Sequence, residues 1–225
     1  MPHGIFMKKL PTWTGILGIF FRMEPALIRI GRLNTLQVLR RSGTLALLDG
    51  GATGEIVLPQ APPEAAPGTA IAVFLYHDSE NRVTATLARP RAMAGEFAFL
   101  ETVSVNDHGA FLDWGLPKDL FVPLKEQKTP LRKGDRALVF VHTDARDGRL
   151  VGTTRIERHL GLSRPGYAPG APVRLLVTGE TDLGFKAIVD NAHWGVLYRD
   201  EVFEKLSPGK LLHGFIKKAR EDGKL

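Results

Sequence analysis

One segment recurs three times along this chain of 225 residues, and the recurrence limits the fold more than any other feature. Each copy has a glycine-centred turn flanked by alternating apolar residues, then a short apolar strand, then a lone Gly that opens another strand. The second copy is clearest. It runs from Val103 and Val105 through Asp107-His108-Gly109-Ala110-Phe111-Leu112 to Leu120-Phe121-Val122-Pro123, then from Gly134-Asp135 into Ala137 to Val141, and ends with Asp144 to Arg149. The first copy has Gly43 with Leu45 and Leu47, Ile56-Val57-Leu58-Pro59, Gly68, Ala70 to Tyr76, and Asp78 to Arg82. The third has Gly184 to Val189, Gly195-Val196-Leu197-Tyr198, Gly209, Leu211 to Ile216, and Asp222 to Leu225. Short strands of even spacing, punctuated by Gly and repeated as a unit, predict an all-β chain of small five-stranded barrels in series.

The copies align closely. Gly134 to Arg149 and Gly209 to Lys224 each span 15 positions, and Gly68 to Arg82 spans 14. The first two copies continue into a closing strand, Val83 to Thr86 and Leu150 to Thr154, which the third does not reach. The expectation is a degenerate barrel over 23–90, a complete one over 91–160 and an incomplete one over 161–225 whose edge strand is unpaired. On this reading the chain is the front part of a longer design, either truncated or completed by another chain.

Composition narrows the class. With no cysteine there is no disulfide framework and no cysteine-based zinc site. The 24 Gly and 15 Pro residues suit many turns between short strands. No apolar stretch reaches the roughly 20 residues that span a bilayer, so a soluble cytoplasmic protein is expected and a membrane partner is not. Residues 1–22 have Lys8-Lys9 ahead of an apolar run but no small-x-small cleavage site. They read as a non-native extension ahead of a start at Met23, with a membrane-surface anchor as the alternative. The net charge of +6 is divided as +3 on 1–22, 0 on 23–90, +1 on 91–160 and +2 on 161–225. Half of it therefore lies outside the repeats, and local clusters such as Lys217-Lys218-Ala219-Arg220 are better pointers to a nucleic-acid partner than the total.

The run from Val105 to Pro123, followed by Glu126-Gln127, resembles the second S1 domain of the bacterial conserved virulence factor B (CvfB-like) family. Val73 to Arg82 in the first copy and Arg220 to Lys224 in the third also match that family. The similarity extends from Pro25 to Leu225, and Gly109-Ala110-Phe111-Leu112-Asp113-Trp114-Gly115 is its most specific part. The resemblance implies tandem S1 domains, each an OB-type barrel, followed by a winged-helix domain that this sequence does not reach. It also implies a site. In an S1 domain aromatic side chains on strands 2 and 3 stack on bases while cations hold phosphates. Two aromatic positions flank a Gly-Ala pair, a His lies on strand 3, and an Asp and an Arg come from the last hairpin.

Carried over by residue, the second copy supplies His108 and Phe111 at the flanking positions and Asp144 and Arg149 at the hairpin, with Pro123 in place of the His. The third supplies Leu183 and Lys186, Tyr198 at the His position, and Arg220 and Lys224 at the hairpin, beside Lys217 and Lys218. The first has Ser42, Leu45 and Pro59 and keeps only Asp78 and Arg82, which makes it a mainly structural barrel. Each residue also has a plainer reading. Phe111 fits the core, His108 a loop, Trp114 a barrel cap, and Asp144 with Arg149 a turn-stabilising pair.

Catalysis finds no foothold in the sequence. There is no Gly-x-Ser-x-Gly elbow, phosphate loop or His-Glu-x-x-His pair, and the seven histidines are scattered. Gly50-Gly51-Ala52-Thr53-Gly54 reads as a hairpin turn that leads into no helix. The sequence therefore predicts a non-enzymatic protein without cofactor or small-molecule substrate that binds single-stranded RNA with little sequence specificity. The alternative is an adaptor whose barrels dock on the transcription or translation machinery, with RNA polymerase or the ribosome as partner.

Overall fold

The computed structural model describes residues 27–163, 165–218 and 225. Among them the chain forms fourteen strands in three consecutive sheets. The first comprises β1 (Leu33–Ser42), β2 (Leu45–Asp49), β3 (Glu55–Leu58), β4 (Ala70–His77) and β5 (Val83–Thr86), closed as a barrel in the order β1-β2-β3-β5-β4. The second comprises β6 (Phe97–Asn106), β7 (Gly109–Asp113), β8 (Leu120–Pro123), β9 (Arg136–Thr143) and β10 (Leu150–Thr153), in the order β10-β9-β6-β7-β8. The third comprises β11 (Pro172–Thr181), β12 (Gly184–Val189), β13 (His193–Tyr198) and β14 (Leu211–Phe215), in the order β13-β12-β11-β14. The strands fall where the repeat predicts them. The Gly-rich stretch after β2 forms one 3-10 turn, Gly51–Thr53, between β2 and β3.

A shared device lets each sheet curl. The first strand of every sheet is ten residues long and serves two partners, pairing with the fourth strand through its N-terminal half and the second through its C-terminal half. Its register shifts at equivalent places, between Val38 and Arg40, Thr102 and Ser104, and Val177 and Gly179. Such a bulge bends the strand so that it can turn the barrel corner. The residue before each bulge is held by two backbone bonds. Gly68 N donates to Val38 O while Val38 N donates to Thr69 O, and Gly134 with Asp135 and Gly209 with Lys210 treat Thr102 and Val177 in the same way. Gly68, Gly134 and Gly209 have φ of 87°, 88° and 91°, a region that penalises any residue with a Cβ. The lone glycine of the repeat is thus the fastener of the bulge.

Closure differs among the three. In the first sheet β5 pairs parallel with β3 at Val57 and Thr84. In the second, Gly152 lets β10 press against β8, since a Cβ there would lie 2.8 Å from Val122 Cγ2, and Thr154 N and Thr153 Oγ1 both donate to Glu126 O. In the third, Leu225 donates to Trp194 O at 3.0 Å and accepts from Val196 N at 2.9 Å. It meets the edge of β13 where β5 meets β3 in the first sheet, so the edge expected to be wholly unpaired is engaged at this point.

Alternation along the strands fills each interior, with Val38, Leu48, Ile56, Val73 and Leu75 in the first barrel and Leu100, Leu112, Leu120, Val122 and Val139 in the second. The outward faces of β4 and β9 are also apolar, and each holds the sheet that follows. Phe74 and Tyr76 on β4 join the second barrel's cluster through Trp114, whose ring meets Phe74 edge to face at 5.9 Å and 80°. Trp114 is 3% exposed and its Nε1 donates to Lys118 O at 2.6 Å, so it caps the second barrel and is no outward platform. On β9, Leu138 and Phe140, with Phe97 and Phe99 of β6, pack against Leu176, Ile188 and Trp194 of the third sheet.

Replacing Trp114 by Ala is expected to cost about 3–5 kcal/mol, as for other buried aromatics. A Phe74→Ala, Trp114→Ala double-mutant cycle in denaturant unfolding should give a coupling of about 0.5–1.5 kcal/mol. Additive losses would show that the two rings do not act as one contact.

Candidate nucleic-acid interface

The β7–β8 ladder presents its side chains in rungs. Ala110, Leu112, Leu120 and Val122 point into the barrel, while Phe111 lies opposite Phe121 on the outward face. Both phenylalanines are half-buried, and their centroids are 5.1 Å apart with the planes tilted by 37°. Outward aromatic pairs of this kind offer two ring faces to a flat ligand. The register also places Gly109 opposite Pro123, where a Cβ at 109 would strike the Val122 carbonyl oxygen.

Around this rung opens a cleft of about 680 Å³. His108, exposed in the β6–β7 turn, forms one end, and Asp144, Arg146, Asp147 and Arg149 from the β9–β10 hairpin form another wall. Of the residues inferred from sequence, His108, Phe111, Asp144 and Arg149 therefore line one cleft. Asp144 and Arg149 join only through the backbone, N to O at 2.8 Å, and not as the side-chain pair considered above. Asp144 instead holds Arg146 at 3.1 Å, and Arg149 pairs with Asp147. The bonds from Arg146 hold the Asp144 carboxyl down at about 2, and Arg149 likewise holds Asp147 below its ordinary range. In both cases the facing arginine favours the ionised carboxylate.

The third wall comes from the first barrel. Tyr76, His77 and Ser79 line the same cleft. Lys118, in the loop before β8, reaches across to donate to His77 O at 3.1 Å and Asp78 O at 2.7 Å. Burial, then Arg149, lower the Lys118 amine. Burial, then Lys118, lower His77, whose Nδ1 is enclosed without a partner among the described residues. The cleft holds four cations, Lys118, Lys125, Arg146 and Arg149, against Asp119, Asp144 and Asp147. Lys125 is exposed and not committed to an acceptor among the described residues. Sequence reasoning missed Phe121, Lys118, Lys125 and Tyr76. Phe121 is placed by the pairing of β8 with β7 and Lys125 by the 3-10 turn Leu124–Glu126 that follows β8, while Lys118 and Tyr76 depend on how the first two barrels dock.

The other two barrels present different faces. In the first, Ser42 pairs with Leu45 across the two-residue turn Gly43-Thr44, as Asn106 pairs with Gly109 in the second. The flanking positions are thus Thr44 and Leu47, two residues beyond the Ser42 and Leu45 expected from sequence. The aromatic rung is replaced by Leu47 and Val57. Asp78 is bound by Arg82 Nε and Nη2, each at 3.0 Å. In the third sheet the corresponding rung is Lys186 and Val196. Lys186 Nζ sits 3.7 Å above the Trp194 ring, and the neighbouring Ile188 is buried against the second barrel. Tyr198, 41% exposed, shares a separate cleft with Lys217, Lys218 and Phe215, and Lys217 pairs with Glu201. Arg220 and Lys224 lie outside the described residues. Among the described residues there is no group of three or more metal-ligating side chains, and no helix long and apolar enough to cross a membrane.

A family model described as "S1 domain" matches residues 30–88 and 94–155. The chain is 39% identical over 72 residues to "Uncharacterized protein YitL" of Bacillus subtilis (strain 168), a match covering 29% of this chain and about a quarter, 24%, of that relative's length. A solved structure, a multidomain protein with nucleic acid binding domains from Streptococcus pneumoniae TIGR4, is similar over 86% of this chain and 71% of its own, at 19% identity and a TM-score of 0.48.

Half-buried Phe111 and fully buried Leu112 should respond differently to truncation. Phe111→Ala should destabilise the fold by about 1 kcal/mol, the worth of a surface aromatic pair, and Leu112→Ala by about 2–5 kcal/mol. Equal losses in denaturant melts would assign Phe111 to the core.

Proposed function

The chain belongs to the S1 domain family, and from that premise we propose that it binds single-stranded RNA without catalysing a reaction on it. The observation that carries this reading is the outward Phe111–Phe121 rung, set in a cleft walled by His108, the arginine hairpin and the first barrel. Bases stacked on such rings gain about 1–3 kcal/mol each, largely without regard to sequence. Lys125 meets a phosphate first, and Arg146 and Arg149 can share their carboxylate partners with a passing backbone. Tyr198 with Lys217 and Lys218 forms a lesser station on the third barrel. Kinship with the conserved virulence factor B family, and with it a cytoplasmic role in post-transcriptional gene regulation, is part of the same proposal.

A second reading draws on the apolar outer face of β14. Phe215 is 76% exposed and Leu211 70% exposed, at the positions where Phe140 and Arg136 stand on β9. An adaptor that docks on the ribosome or RNA polymerase would use such a face.

Titration of the purified protein with short labelled single-stranded RNA at two salt concentrations decides between the readings. Most cations of the cleft already face carboxylates or carbonyls, so few counterions are displaced. The slope of log affinity against log salt should be no steeper than about −2. Phe111→Ala should weaken binding by about 1–3 kcal/mol. Absence of binding at micromolar protein in low salt would remove the RNA reading in favour of the adaptor.

A further inference from the structure

Beyond its aromatic rung the β7–β8 face of the second barrel ends in two carboxylates, Asp113 and Asp119. The paired register ends with Leu112 against Leu120; Asp113 is the last residue of β7 and Asp119 immediately precedes β8, and the two carboxyls are near enough for the charge of Asp113 to act on Asp119. Asp119, two residues before Phe121, lines the same clefts as the two phenylalanines and so stands beside a ring stacked on them, whereas Asp113 lines neither. The two acids are not equivalent. Asp113 is occupied, with Oδ2 2.8 Å from Arg91 Nη2 and Oδ1 accepting the Gly115 N–H at 2.8 Å. Asp119 is half-buried and makes no hydrogen bond or ion pair among the described residues. It lines both the large cleft and an adjoining one of about 420 Å³, in each case with Phe111, Phe121 and Ser79. Burial, then the charge of Asp113, raise its carboxyl above the ordinary range, as fits a carboxylate short of donors.

We propose that Asp119 is a specificity-determining residue that selects guanine for the base stacked on Phe111 and Phe121. This rests on the RNA reading above. A carboxylate accepts only, through two oxygens side by side. Guanine presents N1–H and N2–H as adjacent donors that match both oxygens. Uracil offers one N3–H between two carbonyl oxygens and meets the carboxylate with repulsion, while adenine and cytosine each supply a single amino group. A half-buried acceptor left unpaired by the wrong base penalises that base, which is how polar sites discriminate most strongly.

The test is fluorescence anisotropy on the full chain with an eight-nucleotide oligouridylate and the same oligomer carrying one central guanine. The expected result is a preference of about tenfold for the guanine oligomer. Asp119→Asn, which keeps the shape, and Asp119→Ser should each reduce it to about twofold or less while affinity for oligouridylate is unchanged or higher. Equal affinity of the unmodified protein for both oligomers would overturn the assignment of Asp119 and leave the RNA site standing. So would a preference that survives both substitutions, or an equal loss for both oligomers. If neither oligomer binds the unmodified protein, the RNA reading itself fails and the assignment with it.

Discussion

The edge-to-face contact between Phe74 and Trp114 is the joint on which the rest of the molecule depends. One ring comes from the outward face of the first barrel's fourth strand and the other caps the second barrel. The indole N–H fixes Lys118 O, and the Lys118 amine reaches back to two carbonyls of the first barrel. Aromatic packing and charge-assisted hydrogen bonds therefore act on the same short loop. Because that joint is tight, Tyr76, His77 and Ser79 become a wall of the cleft around Phe111 and Phe121, and the site belongs to two barrels.

The same face of the fourth strand is used again one repeat later. Phe140 stands where Phe74 does and holds the third barrel through Trp194 and Ile188. This gives the three copies different roles. The first barrel has Leu47 and Val57 where the second has its aromatic rung, and contributes a wall. The second keeps its rung open. The third buries Ile188 of the corresponding face in docking, while Lys186, Leu183 and Tyr198 stay exposed.

Much of the fold was legible because its controlling features are local. Gly68, Gly134 and Gly209 mark a backbone conformation that few other residues adopt, and apolar alternation then fixes which residues of each strand face inward. The first copy's register was misread by two residues because Gly43 was aligned with Gly109, although Gly43 occupies a turn position and Gly109 opens a strand. Phe121 was hidden in the run Leu120-Phe121-Val122, which looks uniformly apolar until the opposing strand assigns alternate residues to opposite faces. Lys118 and Tyr76 could not be read at all. Their place follows from contacts 40 or so residues apart in sequence, and no local pattern encodes them.

In the proposed function one face, β7–β8 of the second barrel with the first barrel's hairpin, receives single-stranded RNA. Heteronuclear NMR of the protein with labelled phenylalanine rings and backbone amides, recorded as a short oligoribonucleotide is added, tests it directly. Ring-current shifts are expected at Phe111 and Phe121 and amide shifts at His108, Ser79 and the Asp144 to Arg149 hairpin, with little change at Trp114 or Ile188. Shifts confined to the third barrel, or none at the Phe111–Phe121 pair while RNA is bound, would contradict it.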